Sequence, residues 1–144
     1  MIVHAGLIAQ RLGGRWRGVL IEGPSGVGKS DLALRALDQG FRLVADDRVV
    51  LWLSEGRLFG RAPQPLHGLI EIRGFDVTGE VALPLCEVVM VVQPGAPERL
   101  PEAEQVERLG LSLPRLTLSY REASAPAKLR RALAALYVVN QRRM

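Results

Sequence analysis

The chain has 144 residues, 48% apolar, 24% charged and 5% aromatic, with a formal charge of +4. That length suits one domain over residues 1–144 and leaves no room for two ordinary ones. Ordinary apolar content excludes long disorder, and no apolar run approaches the ~18 residues that span a bilayer.

Ile2 to Leu12 alternates loosely and predicts one or two short strands, and Gly18 to Ile21 is a buried strand bounded by glycine. Asp31 to Gln39 carries Leu32, Leu34, Ala36 and Leu37 in a helical pattern, with Gly40 placed to end it. Arg42 to Ala45 is a second buried strand, closing on the pair Asp46-Asp47. Val49–Leu53 and Arg57–Arg61 flank Glu55-Gly56 and predict a hairpin. Pro63 and Pro65 interrupt the pattern before an extended segment from Leu69 to Ile72. Val88–Val92 and Leu116–Tyr120 are further strands, and Ser124-Ala125-Pro126 opens a helix with Leu129, Leu133 and Leu136 on one face. The expected fold is therefore α/β, strand-rich, with two helices. Cys86 and Met90 fit its sheet core, and His67 reads as a loop residue.

Charge and cysteine content narrow the setting. Of the 19 basic residues only Lys29 and Lys128 are lysine, and the arginines are scattered from Arg11 to Arg143 without a basic block. With so few aromatics, a nucleic-acid surface is not expected. The single Cys86 excludes an internal disulfide or a cysteine-based zinc site. No signal-peptide layout is seen at the start, so the expected compartment is the cytoplasm, without membrane attachment.

Gly23-Pro24-Ser25-Gly26-Val27-Gly28-Lys29-Ser30 satisfies the G-x-x-x-x-G-K-[ST] pattern of a phosphate-binding loop. It sits between an apolar strand and a helix, the context that lets backbone N–H groups converge on phosphate oxygens. Lys29 would reach the β- and γ-phosphates of a nucleotide, and the Ser30 hydroxyl would ligate Mg²⁺. Asp46-Asp47 ends a strand, where α/β folds gather their ligands. One of these carboxylates can hold Mg²⁺ directly or through water, and the other can accept a proton from an attacking hydroxyl.

His4 and the segments GPSGVGKSDLALR (23–35), LVADDRV (43–49), LIEIRGF (69–75) and ERLG (107–110) together resemble the HPr kinase/phosphorylase family. The likeness is to a short form reduced to the catalytic domain and runs from about His4 to Arg121. It implies ATP-dependent phosphorylation of a serine of HPr, the phosphocarrier of the sugar phosphotransferase system, and phosphorolysis of the product to pyrophosphate. By that resemblance Asp47 is the proton acceptor, with Asp46 its neighbour and the division of roles between them open. His4 supports the aspartate, Lys29 and Arg108 complete the catalytic set, and Ser30 and Glu71 are magnesium ligands. Arg73 and Gly74 belong to the family's signature segment, and of its late loop tied to dephosphorylation only Arg121 is matched. The expected sheet is mixed, resembling the core of phosphoenolpyruvate carboxykinases, and family members form hexamers. Two other readings fit the phosphate loop: a small-molecule kinase, and a nucleotide-binding regulator without catalysis.

Overall fold

A computed structural model describes residues 1–142, so Arg143 lies outside the described residues. The chain opens with β1 (Ile2–Val3), β2 (Gly6–Leu12) and β3 (Arg15–Ile21), enters α1 (Lys29–Leu37) through the phosphate loop, and returns as β4 (Arg42–Ala45). A hairpin of β5 (Val49–Ser54) and β6 (Arg57–Arg61) follows, then a second of β7 (Leu69–Ile72) and β8 (Asp76–Gly79). β9 (Cys86–Pro94), β10 (Glu104–Arg108), β11 (Leu111–Leu118) and α2 (Ala125–Arg142) complete the described chain.

Nine of these strands form one mixed sheet, and β7–β8 stands apart as a two-stranded sheet. β2 lies antiparallel between β3 and β4, while β3 runs parallel to β9. Strand β9 is a branch point. Its start, Cys86 and Glu87, pairs with Gly60 and Phe59 of β6, whereas Val91 to Pro94 pair in parallel with Arg115 to Leu118 of β11. The sheet also curls. Although β9 and β3 separate β6 from β2, a Cβ added to Gly60 would lie 2.6 Å from Leu7 Cδ2 and 3.0 Å from Val49 Cγ1.

Alternation along the central strands feeds two cores. Ile8, Val19, Ile21, Leu43 and Val92 face the helices, where they meet Leu32, Ala36, Leu129 and Leu133. Leu7, Leu20, Val44, Leu51, Leu58 and Val91 fill the opposite core inside the curl. Strands buried on both faces read as continuous apolar runs, which is why β3 and β9 are conspicuous in sequence. Cys86 and Met90 are buried in the sheet, as expected, and His67 is an exposed loop residue.

The expected elements are present with shifted ends. Helix α1 begins two residues earlier than its apolar pattern, at Lys29, because the phosphate loop runs straight into it. Gly40 does end it: at φ 87° it lets the Phe41 N–H return to Ala36 O, the six-to-one bond of a glycine-terminated helix. Strands β8 and β10 were not expected. Each is mostly exposed, with no apolar alternation to announce it. Among the described residues no helix is long and apolar enough to cross a membrane.

Candidate active site

The phosphate loop leaves β3 at Glu22 and turns on three glycines in the left-handed half of backbone space: Gly23 (φ 142°), Gly26 (φ 84°) and Gly28 (φ 109°). Gly28 occupies the N-cap of α1 and offers no side-chain cap, leaving first-turn N–H groups open to an anion. Lys29 is buried and folds back over the loop, its Nζ donating to Gly23 O at 2.7 Å and Pro24 O at 3.0 Å. A fixed cation therefore stands inside the ring of amides. Val27 does not point into the site; it turns inward against Gly23.

The two aspartates part company at the end of β4. Asp47 has φ 72°, and the Arg48 N–H donates across it to Asp46 O at 2.8 Å. This is a γ-turn of the rare, strained hand, a conformation that persists where the surroundings over-determine it. Its effect is to aim successive carboxylates in different directions. Asp46 is buried and accepts from Ser30 Oγ at 2.7 Å through Oδ1 and from the Glu71 N–H at 2.9 Å through Oδ2. Asp47 stands more open, its Oδ1 2.6 Å from His4 Nε2. The Ala5 N–H donates to Asp47 O at 3.1 Å and ties the histidine's segment to the turn.

A cavity of about 400 Å³ opens between the phosphate loop, the β4–β5 junction and β7. His4, Lys29, Ser30, Asp47 and Glu71 all line it, beside Ser25, Gly26 and Gly28 of the loop. The structure thus brings most of the sequence-predicted residues together around one space, with Asp46 behind them tying Ser30 to Glu71. Among the described residues no three His, Cys, Asp or Glu side chains form a metal cluster by themselves. The hydroxyl of Ser30 and the carboxylates of Asp46 and Glu71 are nonetheless hard oxygen donors of the kind Mg²⁺ takes, with phosphate oxygens and water completing its shell.

Arg108 is not brought into that cavity. It closes on Glu22, Nε to Oε2 at 2.7 Å and Nη2 to Oε1 at 2.5 Å, while Gln93 Nε2 donates to the same Oε1 at 3.0 Å. Burial pushes the Glu22 carboxyl upward, but the hydrogen bonds from Arg108 and Gln93 and the arginine's charge outweigh it and hold its pKa below the ordinary value. The role expected of Arg108 at a phosphoryl group finds no support in this geometry; the pair instead fastens the end of β10 beneath the phosphate loop.

Two arginines to which the residue pattern alone gave no place at the site do line the cavity, Arg73 and Arg121. Arg121 Nη2 donates to Gly26 O at 2.6 Å. Arg35, one α1 turn beyond Asp31, holds the chain on either side of Arg121 by donating to Tyr120 O and, at 3.0 Å, to Glu122 O. No spacing rule links these residues; the signal available in sequence was the match of Arg73 and Arg121 to family segments.

The fold and site have recognisable counterparts. Residues 12–82 match the family model of the HPr Serine kinase C-terminal domain. A protein named HPr kinase/phosphorylase from Clostridium tetani is 47% identical over 60 residues, 42% of this chain and 20% of its own length. The protein of that name from Limosilactobacillus reuteri is 54% identical over 61 residues, 42% of this chain and 19% of its own. The chain spans about a fifth of the length of these curated relatives. Among solved structures, the Hpr(Ser) kinase/phosphatase from Coxiella burnetii superposes with a TM-score of 0.82 over 98% of this chain and 99% of that one, at 23% identity. The mixed, strand-rich α/β fold is shared with that structure. The chain belongs to the HPr serine kinase family, as the segments from the phosphate loop to the signature suggested.

Proposed function

We propose that residues 1–144 act as one catalytic domain that transfers the γ-phosphoryl group of ATP to a serine hydroxyl of an HPr-type phosphocarrier. One observation carries the reading: Asp46 binds Ser30 and the Glu71 backbone from behind, while Asp47, backed by His4, faces the cavity that the phosphate loop opens into. Phosphoryl transfer asks a protein chiefly for positioning and for charge stabilisation, and the loop amides with Lys29 supply both.

Serine is a weak nucleophile at neutral pH. As its oxygen bonds to the γ-phosphorus and the bond to ADP breaks, its proton passes to the Asp47 carboxylate. His4 orients that carboxylate from 2.6 Å away. Asp46 keeps Ser30 and Glu71 in register, and these three would hold Mg²⁺, which when bound neutralises charge on the β- and γ-phosphates. Arg73 and Arg121 add two cations to the cavity, which suits a second phosphate and supports the reverse reaction. There, inorganic phosphate attacks phosphoserine, Asp47 returns the proton to the departing serine oxygen, and pyrophosphate leaves.

The test is incubation with γ-labelled ATP, with and without an HPr-type protein. Label on a serine of that protein, abolished by chelation and restored by Mg²⁺, is the expected result. Label on no protein, with ATP bound but not consumed, would favour the regulator reading instead.

A further inference from the structure

A second hollow, of about 570 Å³, adjoins the cavity just described, and Arg121 lines both. Its walls are the chain leaving the ends of two strands, Pro94 to Arg99 after β9 and Ser119 to Glu122 after β11, with Val27 of the phosphate loop at its edge. β3, β9 and β11 are parallel neighbours. The loops that follow them therefore open at one edge of the sheet, the carboxyl edge where α/β sheets receive ligands.

The hollow is braced against the phosphate loop. Tyr120 Oη lies 2.5 Å from Glu22 O and 2.9 Å from Val92 O, so its hydroxyl fastens the segment after β11 to the ends of β3 and β9. The Gly95 N–H donates to Leu118 O at 3.1 Å and joins the two walls. Arg35 grips Tyr120 O and Glu122 O from α1, the helix that the loop itself starts. The partition carrying Arg121 is thus held in register with the amides that would meet phosphate.

We propose that this hollow receives the nucleoside half of the nucleotide whose phosphates lie along Gly23–Ser30, an assignment that rests on the phosphate-loop reading above. A nucleotide seated this way crosses the Arg121 partition and directs its terminal phosphate toward Asp47 and Glu71. The lining suits a flat heteroaromatic ring with a ribose: apolar surface from Val27 and the prolines, a hydroxyl from Ser119, and main-chain polar groups along 94–97. Its volume falls in the range of about 300–1,000 Å³ common to small-molecule sites.

The experiment compares ATP with inorganic tripolyphosphate, which carries the phosphates and no nucleoside, as ligands of the full chain. Ala96→Trp would occupy the hollow from its rim, and Ser119→Trp would do so from the facing wall. Each should weaken ATP binding by roughly 10-fold or more, about 1.4 kcal/mol, and leave tripolyphosphate affinity at the wild-type value. Unchanged ATP affinity in a folded variant overturns the assignment, as does equal weakening of both ligands. Wild-type protein that binds tripolyphosphate as tightly as ATP overturns it too, while leaving the phosphate-loop reading intact. Wild-type protein that binds neither removes that reading and this one together.

Discussion

Asp46 and Asp47 are consecutive, yet the γ-turn between them points one carboxylate into the protein toward Ser30 and the other outward to His4. The division of labour that the sequence left open thereby acquires a geometric basis. A buried acceptor with two donors is built to hold its neighbours still, and an open carboxylate at a cavity wall is built to exchange a proton. Asp47→Asn should accordingly keep nucleotide affinity and lose single-turnover transfer by roughly 10²-fold or more, the usual scale for removing a general base. Asp46→Asn should weaken Mg²⁺-dependent nucleotide binding itself. Near-normal transfer by Asp47→Asn would pass the proton-accepting role to its neighbour.

Lys29 is the one cation inside the loop, held by two carbonyls that lose a donor when it is removed. Lys29→Met should abolish measurable transfer and weaken ATP binding, with circular dichroism unchanged. Wild-type nucleotide affinity in this variant, read by calorimetry, would show that the loop is not the phosphate site.

The Glu22–Arg108 pair predicts a signature in acid. The carboxyl is held below its ordinary value of 4.5, so between that value and the lowered one the unfolded chain binds the proton more readily than the folded chain. The pair's contribution to stability is present above about pH 4.5 and is lost as pH falls through the lowered folded value. Glu22→Gln, lacking this titration, should show a flatter decline of its urea midpoint below pH 4.5 than the wild type. Parallel curves for the two proteins would refute the pairing.

Gly60 marks the place where the sheet curls onto itself, and an added methyl group there would collide with Leu7 and Val49. Gly60→Ala should cost about 1–3 kcal/mol in denaturant unfolding, the range for overpacking. Gly79→Ala makes a fair control, because nothing lies within 4 Å of an added Cβ there, and its effect should stay within about 0.5 kcal/mol.

What could be read in the sequence was local or carried by a motif. β4 is present over the four residues its apolar run marked, and Glu55-Gly56 turns the hairpin with both residues at positive φ, 51° and 74°. The phosphate loop, the aspartate pair and Glu71 were visible because each lies in a short segment with its own pattern. β10 was not visible: Glu104 to Arg108 alternates charged and polar residues around Val106, and its strand character comes from β11 alongside it. Arg35 reaches Tyr120 O across 85 positions, and Glu22 meets Arg108 across 86. Contacts of that kind are made by the fold, and no periodicity in one segment announces a partner in another.

The branch at β9 has a consequence for how this protein comes to exist. β2 and β3 can zip together as soon as they are synthesised, whereas β3 must wait for β9, since Gly18 pairs with Val88 about 70 positions later. Residues 12–82, the stretch that matches the family model, contain the phosphate loop, both aspartates and Glu71 but not that strand. The most recognisable half of the molecule is therefore not a folding unit. On the ribosome the nucleotide site would stay unformed until the less recognisable half had emerged, and a nascent chain stalled near Ala82 would expose the apolar edge of β3 to whatever strand or chaperone met it first.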